Sequence, residues 1–170
     1  MGPERIIDFT DLLPAMGRSG VGTLDLLATM GPVPLTVVRI YNDAGAAGTT
    51  GFNEDQIRTE DALSAGQRAV LVAPIDPAKF RFNIGVRTLA SGASITVIVR
   101  NAEGAVTQTV PKTYPATFFQ QGSATDFLGA PLGANDSIQI SVDSGSLIVY
   151  GATADNITQD PSLQLAKKVS

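Results

Sequence analysis

A period of two constrains this fold more than any other feature. Phe80-Arg81-Phe82-Asn83-Ile84-Gly85-Val86-Arg87 places an apolar side chain at every second position. Successive residues of a strand point to opposite faces. Phe80, Phe82, Ile84 and Val86 are therefore expected to meet a core, and Arg81, Asn83 and Arg87 to meet water. Ser94 to Arg100 repeats the pattern, with Ile95, Val97 and Val99 on one face. Ile98 interrupts the polar face, which predicts a strand covered on both sides. Between the two runs, Ala90-Ser91-Gly92-Ala93 has the length and composition of a hairpin connection. Asn101-Ala102-Glu103-Gly104 makes the next turn, and Ala105–Val110 returns as a strand stopped by Pro111.

Further strands are read at Gly22–Ala28, Leu35–Asn42, Arg68–Ala73, Ala116–Gln120, Ser137–Val142 and Ser146–Thr153. Short helices fit Ile6–Leu13 and Thr125–Leu128, with Gly17 and Gly129 where helix ends fall. Residues 42–66 read as a surface excursion around one short strand near Gln56–Arg58. Short strands broken by Gly, Pro, Asn and Asp, with no alternation of strand and helix, predict an all-β fold. The expected form is an antiparallel two-sheet β-sandwich, Ig-like or jelly-roll-like, with one or two short helical turns. The organisation expected is an N-terminal segment with a short helix (1–20), a sandwich domain (21–166) and a tail (167–170).

Composition narrows the chemistry. The 170 residues include no His, Cys or Trp. That removes Ser-His-Asp and Cys-His nucleophilic sites, imidazole and thiolate metal ligands, and disulfides. Twelve basic residues against sixteen acidic ones give a net charge of −4, without the basic stripe that nucleic acid requires. The lysine pair Lys167-Lys168 is too small for a polybasic membrane patch. No apolar run approaches the roughly 18–20 residues that span a bilayer. Met1-Gly2-Pro3-Glu4-Arg5 lacks the basic-then-apolar pattern of a secretory leader.

One internal similarity stands out. Thr10-Asp11-Leu12-Leu13 resembles Thr125-Asp126-Phe127-Leu128, and Val21–Ala28 then parallels Asp136–Asp143 as a strand. A glycine follows each, at Gly31 and Gly145. Leu35-Thr36-Val37-Val38 next parallels Leu147-Ile148-Val149-Tyr150, and the two runs end at Asp43 and Asp155. The segments 21–43 and 136–155 thus read as duplicated strand pairs, so the chain opens with a half-module. The expectation is equivalent hairpins in opposite sheets. An unpaired sheet edge can accept a strand from another chain, and the half-module is the candidate donor.

The polar motifs are weaker. An apolar strand leading into Asp143-Ser144-Gly145 has the form of an aspartic-protease half-site, which would need a second Asp143 across a dimer. Asp, Ser and Gly are also turn residues, and a turn is the preferred reading. Asp155-Asn156-Ile157-Thr158-Gln159-Asp160 gathers oxygen ligands of the kind calcium takes, with Asp155, Asn156 and Asp160 as the ligands. It lacks the Gly and Glu of an EF-hand loop, and an Asx-turn before Pro161 is preferred. Glu54-Asp55 with Glu60-Asp61 is a second acidic cluster, read as a solvated loop. Sugar sites present aromatic platforms, and here only Tyr41, Tyr114 and Tyr150 stand outside the phenylalanines. Phe80 and Phe82 alternate like core residues, and Phe118-Phe119 cannot both face one side of a strand. Asn135-Asp136-Ser137 and Asn156-Ile157-Thr158 fit the glycosylation triplet, to which no function is attached. Gly20-Val21-Gly22 and Gly48-Thr49-Thr50-Gly51 fit neither a P-loop nor a dinucleotide fingerprint.

Arg81-Phe82-Asn83-Ile84-Gly85-Val86, followed by Ser94–Arg100 and the Asn101-Ala102-Glu103-Gly104 turn, resembles an Arg-x-Asn-(Leu/Ile)-Gly core strand with its neighbour. Val149-Tyr150-Gly151-Ala152-Thr153-Ala154-Asp155-Asn156, with Thr158, Asp160 and Pro161, is similar to the closing strand of the same modules. These are uncharacterised Ig-like β-sandwich modules found in tandem in large secreted proteins of soil bacteria. The resemblance runs over about Arg68–Ala166, and the first forty residues resemble the end of a preceding module. It implies a secreted, non-enzymatic, structural or adhesive module at the cell surface or outside the cell. No catalytic or cofactor residues carry over. The partner expected is another copy or a neighbouring module, without nucleic acid or membrane insertion. A carbohydrate-binding or enzyme-accessory module is the alternative.

Overall fold

The computed structural model describes residues 6–169, apart from the side chain of Asp55; the expectation made on Met1–Arg5 lies outside them. In chain order the elements are α1 (Leu12–Ala15), β1 (Val37–Asp43), β2 (Thr49–Asp55), β3 (Leu63–Ser64), β4 (Arg68–Val72), β5 (Phe80–Arg100), β6 (Val106–Tyr114), β7 (Phe119–Ser123), α2 (Ala124–Leu128), β8 (Ser137–Asp155), β9 (Pro161–Leu165) and β10 (Lys167–Val169). The strands form two antiparallel sheets, one of two strands (β1 and β2) and one of eight. The fold is all-β and sandwich-like, as the alternation predicts.

Two long strands build the larger sheet. β5 and β8 lie side by side and both bend. Phe80–Thr88 pair with Leu147–Asp155, and Ala93–Arg100 pair with Ser137–Gly145. On its other edge β5 pairs with β7 along Asn83–Arg87 and with β6 along Ala93–Arg100. Strands that change layer at a bend make the corner of a sandwich. One layer therefore runs β10-β4-β8-β5-β6, and the other carries β9 and β3 on β8, followed by β5 and β7.

The inner faces follow the expected parity. Ala69, Ile140, Val97 and Val110 form one cross-strand row, and Leu71, Ile138 and Val99 another. Opposite them stand Ile84, Val86, Leu147 and Val149, all buried. Each such side chain contributes about 1.5–3 kcal/mol when fully buried. The layers meet closely: a Cβ placed on Gly151 would lie 3.8 Å from Leu71 Cδ1. The Val72 N–H donates to Gln164 Oε1 at 2.8 Å, tying β9 of one layer to β4 of the other.

The corner corrects two expectations. Residues 90–93 do not join a hairpin, and 137–142 and 146–153 are not separate strands; each marks or flanks a bend within one strand. Gly92 (φ 65°) and Gly145 (φ 74°) supply left-handed backbone there. A Cβ on Gly145 would overlap the Gly92 carbonyl oxygen, so the two chains touch backbone to backbone. Asp143 is the bulged residue, since Ser94 faces Ser144 while Ile95 faces Val142. The β3–β4 connection stacks on this corner, with Gly66 N–H donating to the Val142 carbonyl at 2.8 Å. Buried Thr88 fastens the 115–118 turn to it. Its Oγ1 donates to the Pro115 carbonyl at 2.7 Å and accepts from Phe118 N–H at 2.9 Å.

Other differences have local causes. β6 passes through Pro111 to Tyr114 because it is an edge strand, where the missing N–H faces no neighbour. The strand read at 116–120 begins instead at Phe119, because Thr117 is left-handed at φ 54°. Ile98 lies on an outer face between Gln139 and Thr109 and is half-buried. Residues 42–66 hold a hairpin strand, β2, rather than a strand near Gln56–Arg58. The Lys167-Lys168 tail pairs with β4 as β10. Thr125–Leu128 is helical as expected. Ser123 Oγ caps α2 by accepting from Asp126 N–H at 3.0 Å, and Gly129 (φ 80°) ends it. The helix expected at Ile6–Leu13 forms only at Leu12–Ala15, since Pro14 is tolerated only in a first turn.

Candidate interaction surface

Residues 6–41 are rich in apolar side chains that stay outside the core. Ile6 (96%), Leu27 (87%), Met30 (91%) and Leu35 (94%) are almost fully exposed, and Ile7, Phe9, Val21 and Val37 largely so. Gly22–Ala28 alternates as a strand should, yet forms none. A ladder needs a neighbour for every second N–H and C=O, and among the described residues no strand pairs with this stretch. β1 and β2 do pair, from Val37 opposite Asp55 to Asp43 opposite Thr49. A two-stranded ribbon is marginal in water without a surface to lie on; β2 lies beside β9 and is half-buried at Thr50, Gly51, Phe52 and Glu54, whereas every residue of β1 is exposed. The expected pair of equivalent hairpins in opposite sheets is therefore absent, because this first hairpin stands outside the larger sheet.

An ion pair ties the segment to the sandwich. Asp25 Oδ2 accepts from Arg87 Nη2 on the outer face of β5. Arg87 is largely covered and its Nε is buried without a partner, whereas Asp25 is mostly exposed. A pair of this kind contributes at most about 1 kcal/mol. Neither residue carries a sequence signal that would pair them.

The predicted polar residues do not converge. Asp143 accepts from Thr96 Oγ1 at 2.9 Å at the corner bulge. Asp155 Oδ1 accepts from the N–H groups of Ile157 and Thr158, both at 2.8 Å, which is the Asx-turn. These donors, Thr158 first, hold its exposed carboxyl below the usual range. Asn156 Nδ2 donates to the Ala78 carbonyl at 3.0 Å, and Asp160 N–H donates to Thr158 Oγ1 at 3.3 Å. Asp155 thus caps its own loop, and Asn156 ties that loop to the Ala78 backbone. Among the described residues, no three acidic side chains gather so as to hold a metal. Glu60 pairs with Arg58 at 3.7 Å, and burial pushes the Glu54 carboxyl up. No helix among them is long and apolar enough to cross a membrane.

The tyrosines lie in three places. Tyr114 is buried in the core, its ring stacked on Phe118 at 5.5 Å, and Tyr41 is on the ribbon. Tyr150 lies flat over Gly85, where a Cβ would collide with its ring, and donates to Gln121 Oε1 at 2.6 Å. No shared platform for a sugar results. A cleft by Ile57, Leu63, Ile148 and Leu165 holds about 70 Å³, and one by Leu35, Val37 and Arg58 about 200 Å³. Small-molecule sites usually hold roughly 300–1,000 Å³.

The phenols give a pH prediction. Burial pushes Tyr114 and Tyr150 up to about 12, with Glu54 adding its charge at Tyr150. An unfolded tyrosine ionises near 10. The fold's preference for neutral phenols is thus fully present below about 10 and is lost as pH rises through about 12. Denaturant midpoints are expected to fall across that window, and Tyr150→Phe to flatten the fall. An unchanged slope in Tyr150→Phe contradicts the burial of this ring. The chain matches no protein-family model, no curated protein and no solved structure.

Proposed function

We propose that the chain is a non-catalytic structural or adhesive module of a bacterial surface or extracellular assembly, whose product is an interface between protein modules. The apolar surface of residues 6–41 carries this reading. A folded monomer of 17.6 kDa exposes about 7,900 Å², whereas this chain exposes 10963 Å². The excess, about 3,000 Å² on one partner, is no smaller than the roughly 1,000–2,500 Å² that each partner of an obligate interface buries. Free monomers rarely keep contiguous apolar patches beyond several hundred Å². The bacterial, extracellular setting rests on the resemblance of Arg81–Val86 and Val149–Asn156 to tandem Ig-like modules.

Sedimentation velocity over a dilution series tests the reading, with electron microscopy of the same samples. Association that rises with concentration is expected, and it should disappear in Leu27→Asp/Met30→Asp/Leu35→Asp. That variant should keep the wild-type melting temperature. A wild-type chain that stays monomeric at every concentration, and matches the triple variant, contradicts it.

A further inference from the structure

We infer that residues 10–55 are the closing half of a second sandwich, and that the surface they expose fits the opening half of such a module: an antiparallel strand with the alternation and glycine bend of β5. This rests on the interface reading above and names the partner.

The structure carries the equivalence beyond the sequence similarity. Val37–Asp43 aligns with Val149–Asp155 and is two residues shorter than the second part of β8, Leu147–Asp155, while the loops 44–48 and 156–160 that follow are equally long. β2 then stands where β9 stands. Both loops open on the same Asx-turn: Asp43 Oδ1 accepts from Gly45 N–H at 2.8 Å, and Asp155 Oδ1 from Ile157 N–H at 2.8 Å. The registers differ by one residue beside the loop, where Asp43 faces Thr49 and Ala154 faces Pro161. Further back, Gly31 (φ 75°) matches Gly145 (φ 74°) at the bend. Aligned on these two glycines, one residue off the register that α1 and α2 give, Leu24, Leu26 and Ala28 fall at Ile138, Ile140 and Val142. Each copy carries a helical turn followed by a left-handed glycine, Gly17 (φ 66°) and Gly129 (φ 80°), but α1 begins at Leu12 where the aligned α2 is ending, at Phe127-Leu128.

The two copies differ in what lies beside them. β8 is paired along its whole length with β5, and Phe127 and Leu128 of α2 are buried. Residues 21–28 have no such neighbour, and Leu13 of α1 is exposed. The missing element is therefore the counterpart of β5, with β4 and β6 beside it. A second copy of this chain cannot lend its own β5, whose edges are taken by β8 on one side and by β6 and β7 on the other. The partner is therefore a β5-like strand other than the one already paired in a sandwich of this chain.

A tandem tests this: a second copy of residues 62–122 is joined ahead of residue 6 of the full chain, and amide exchange is followed at 24–28 and 37–43. In the chain alone these amides should exchange freely at every concentration. In the tandem they should slow by more than about 100-fold, as closed strands do, and the chain's self-association should fall. Placing Ile84→Asp in the added copy alone should abolish the slowing while 84–99 of the original sandwich stays protected. Slowing in the chain alone on concentration means that a second copy covers the face; it overturns the inference and leaves the interface reading standing. Free exchange in the tandem, with the original sandwich intact, also overturns it. The interface reading itself fails only if the unmodified chain does not associate.

Discussion

Gly145→Ala is expected to cost at least about 3 kcal/mol, enough to unfold much of the population of a domain this size. Two terms add. The residue sits at φ 74°, where a Cβ crowds its own carbonyl, and that Cβ would also overlap the Gly92 carbonyl oxygen. No flexible side chain can move aside, because the obstacle is backbone. Gly104→Ala is the matched control. Its φ is 83°, yet a Cβ there meets nothing within 4 Å, so only the backbone cost of about 1–2 kcal/mol applies. Urea midpoints of the two variants check the difference. Equal losses would mean that the bends of β5 and β8 do not touch.

Ile140→Asp should leave no folded protein at room temperature, whereas Leu27→Asp should change stability by less than about 0.5 kcal/mol. Ile140 is 1% exposed, in a row with Ala69, Val97 and Val110. A carboxylate there has no partner and no water. Leu27 is 87% exposed, and its replacement by a charge loses no contact within the chain. Melting followed by far-ultraviolet circular dichroism reads both. A folded Ile140→Asp variant would contradict the core assignment. A strongly destabilised Leu27→Asp variant would place residues 21–28 inside the cooperative unit.

The sequence made the buried faces legible because burial on one face imposes period two. Phe82, Ile84 and Val86, and then Ile95, Val97 and Val99, point inward as that rule requires. The connections were less legible. Ala90-Ser91-Gly92-Ala93 and Asp143-Ser144-Gly145 have turn composition, but a left-handed glycine serves a bend within a strand equally well. What decides is whether the next run pairs back or crosses to the other layer, and that is set by a partner strand of matching length. Gly22–Ala28 departs from its pattern for a related reason: the alternation is competent, but pairing depends on a neighbour it lacks. The interaction surface was partly visible as the repeated half-module, while the Asp25–Arg87 pair and the Tyr150 ring over Gly85 follow from cross-strand geometry alone.

The account depends most on β5 and β8 running antiparallel through both layers. The chain has no cysteine, so introduced pairs can be read by mass spectrometry after mild oxidation. Arg81 faces Ala154 at one end of the two strands, and Arg100 faces Ser137 at the other. Directly opposite positions of an antiparallel pair have Cα atoms about 4.5–5.5 Å apart, within the roughly 4.4–6.8 Å that a disulfide spans. Arg81→Cys/Ala154→Cys and Arg100→Cys/Ser137→Cys should each form one, and Arg81→Cys/Arg100→Cys should not. A disulfide in the last variant and none in the first two would make residues 80–100 a simple hairpin and contradict the architecture.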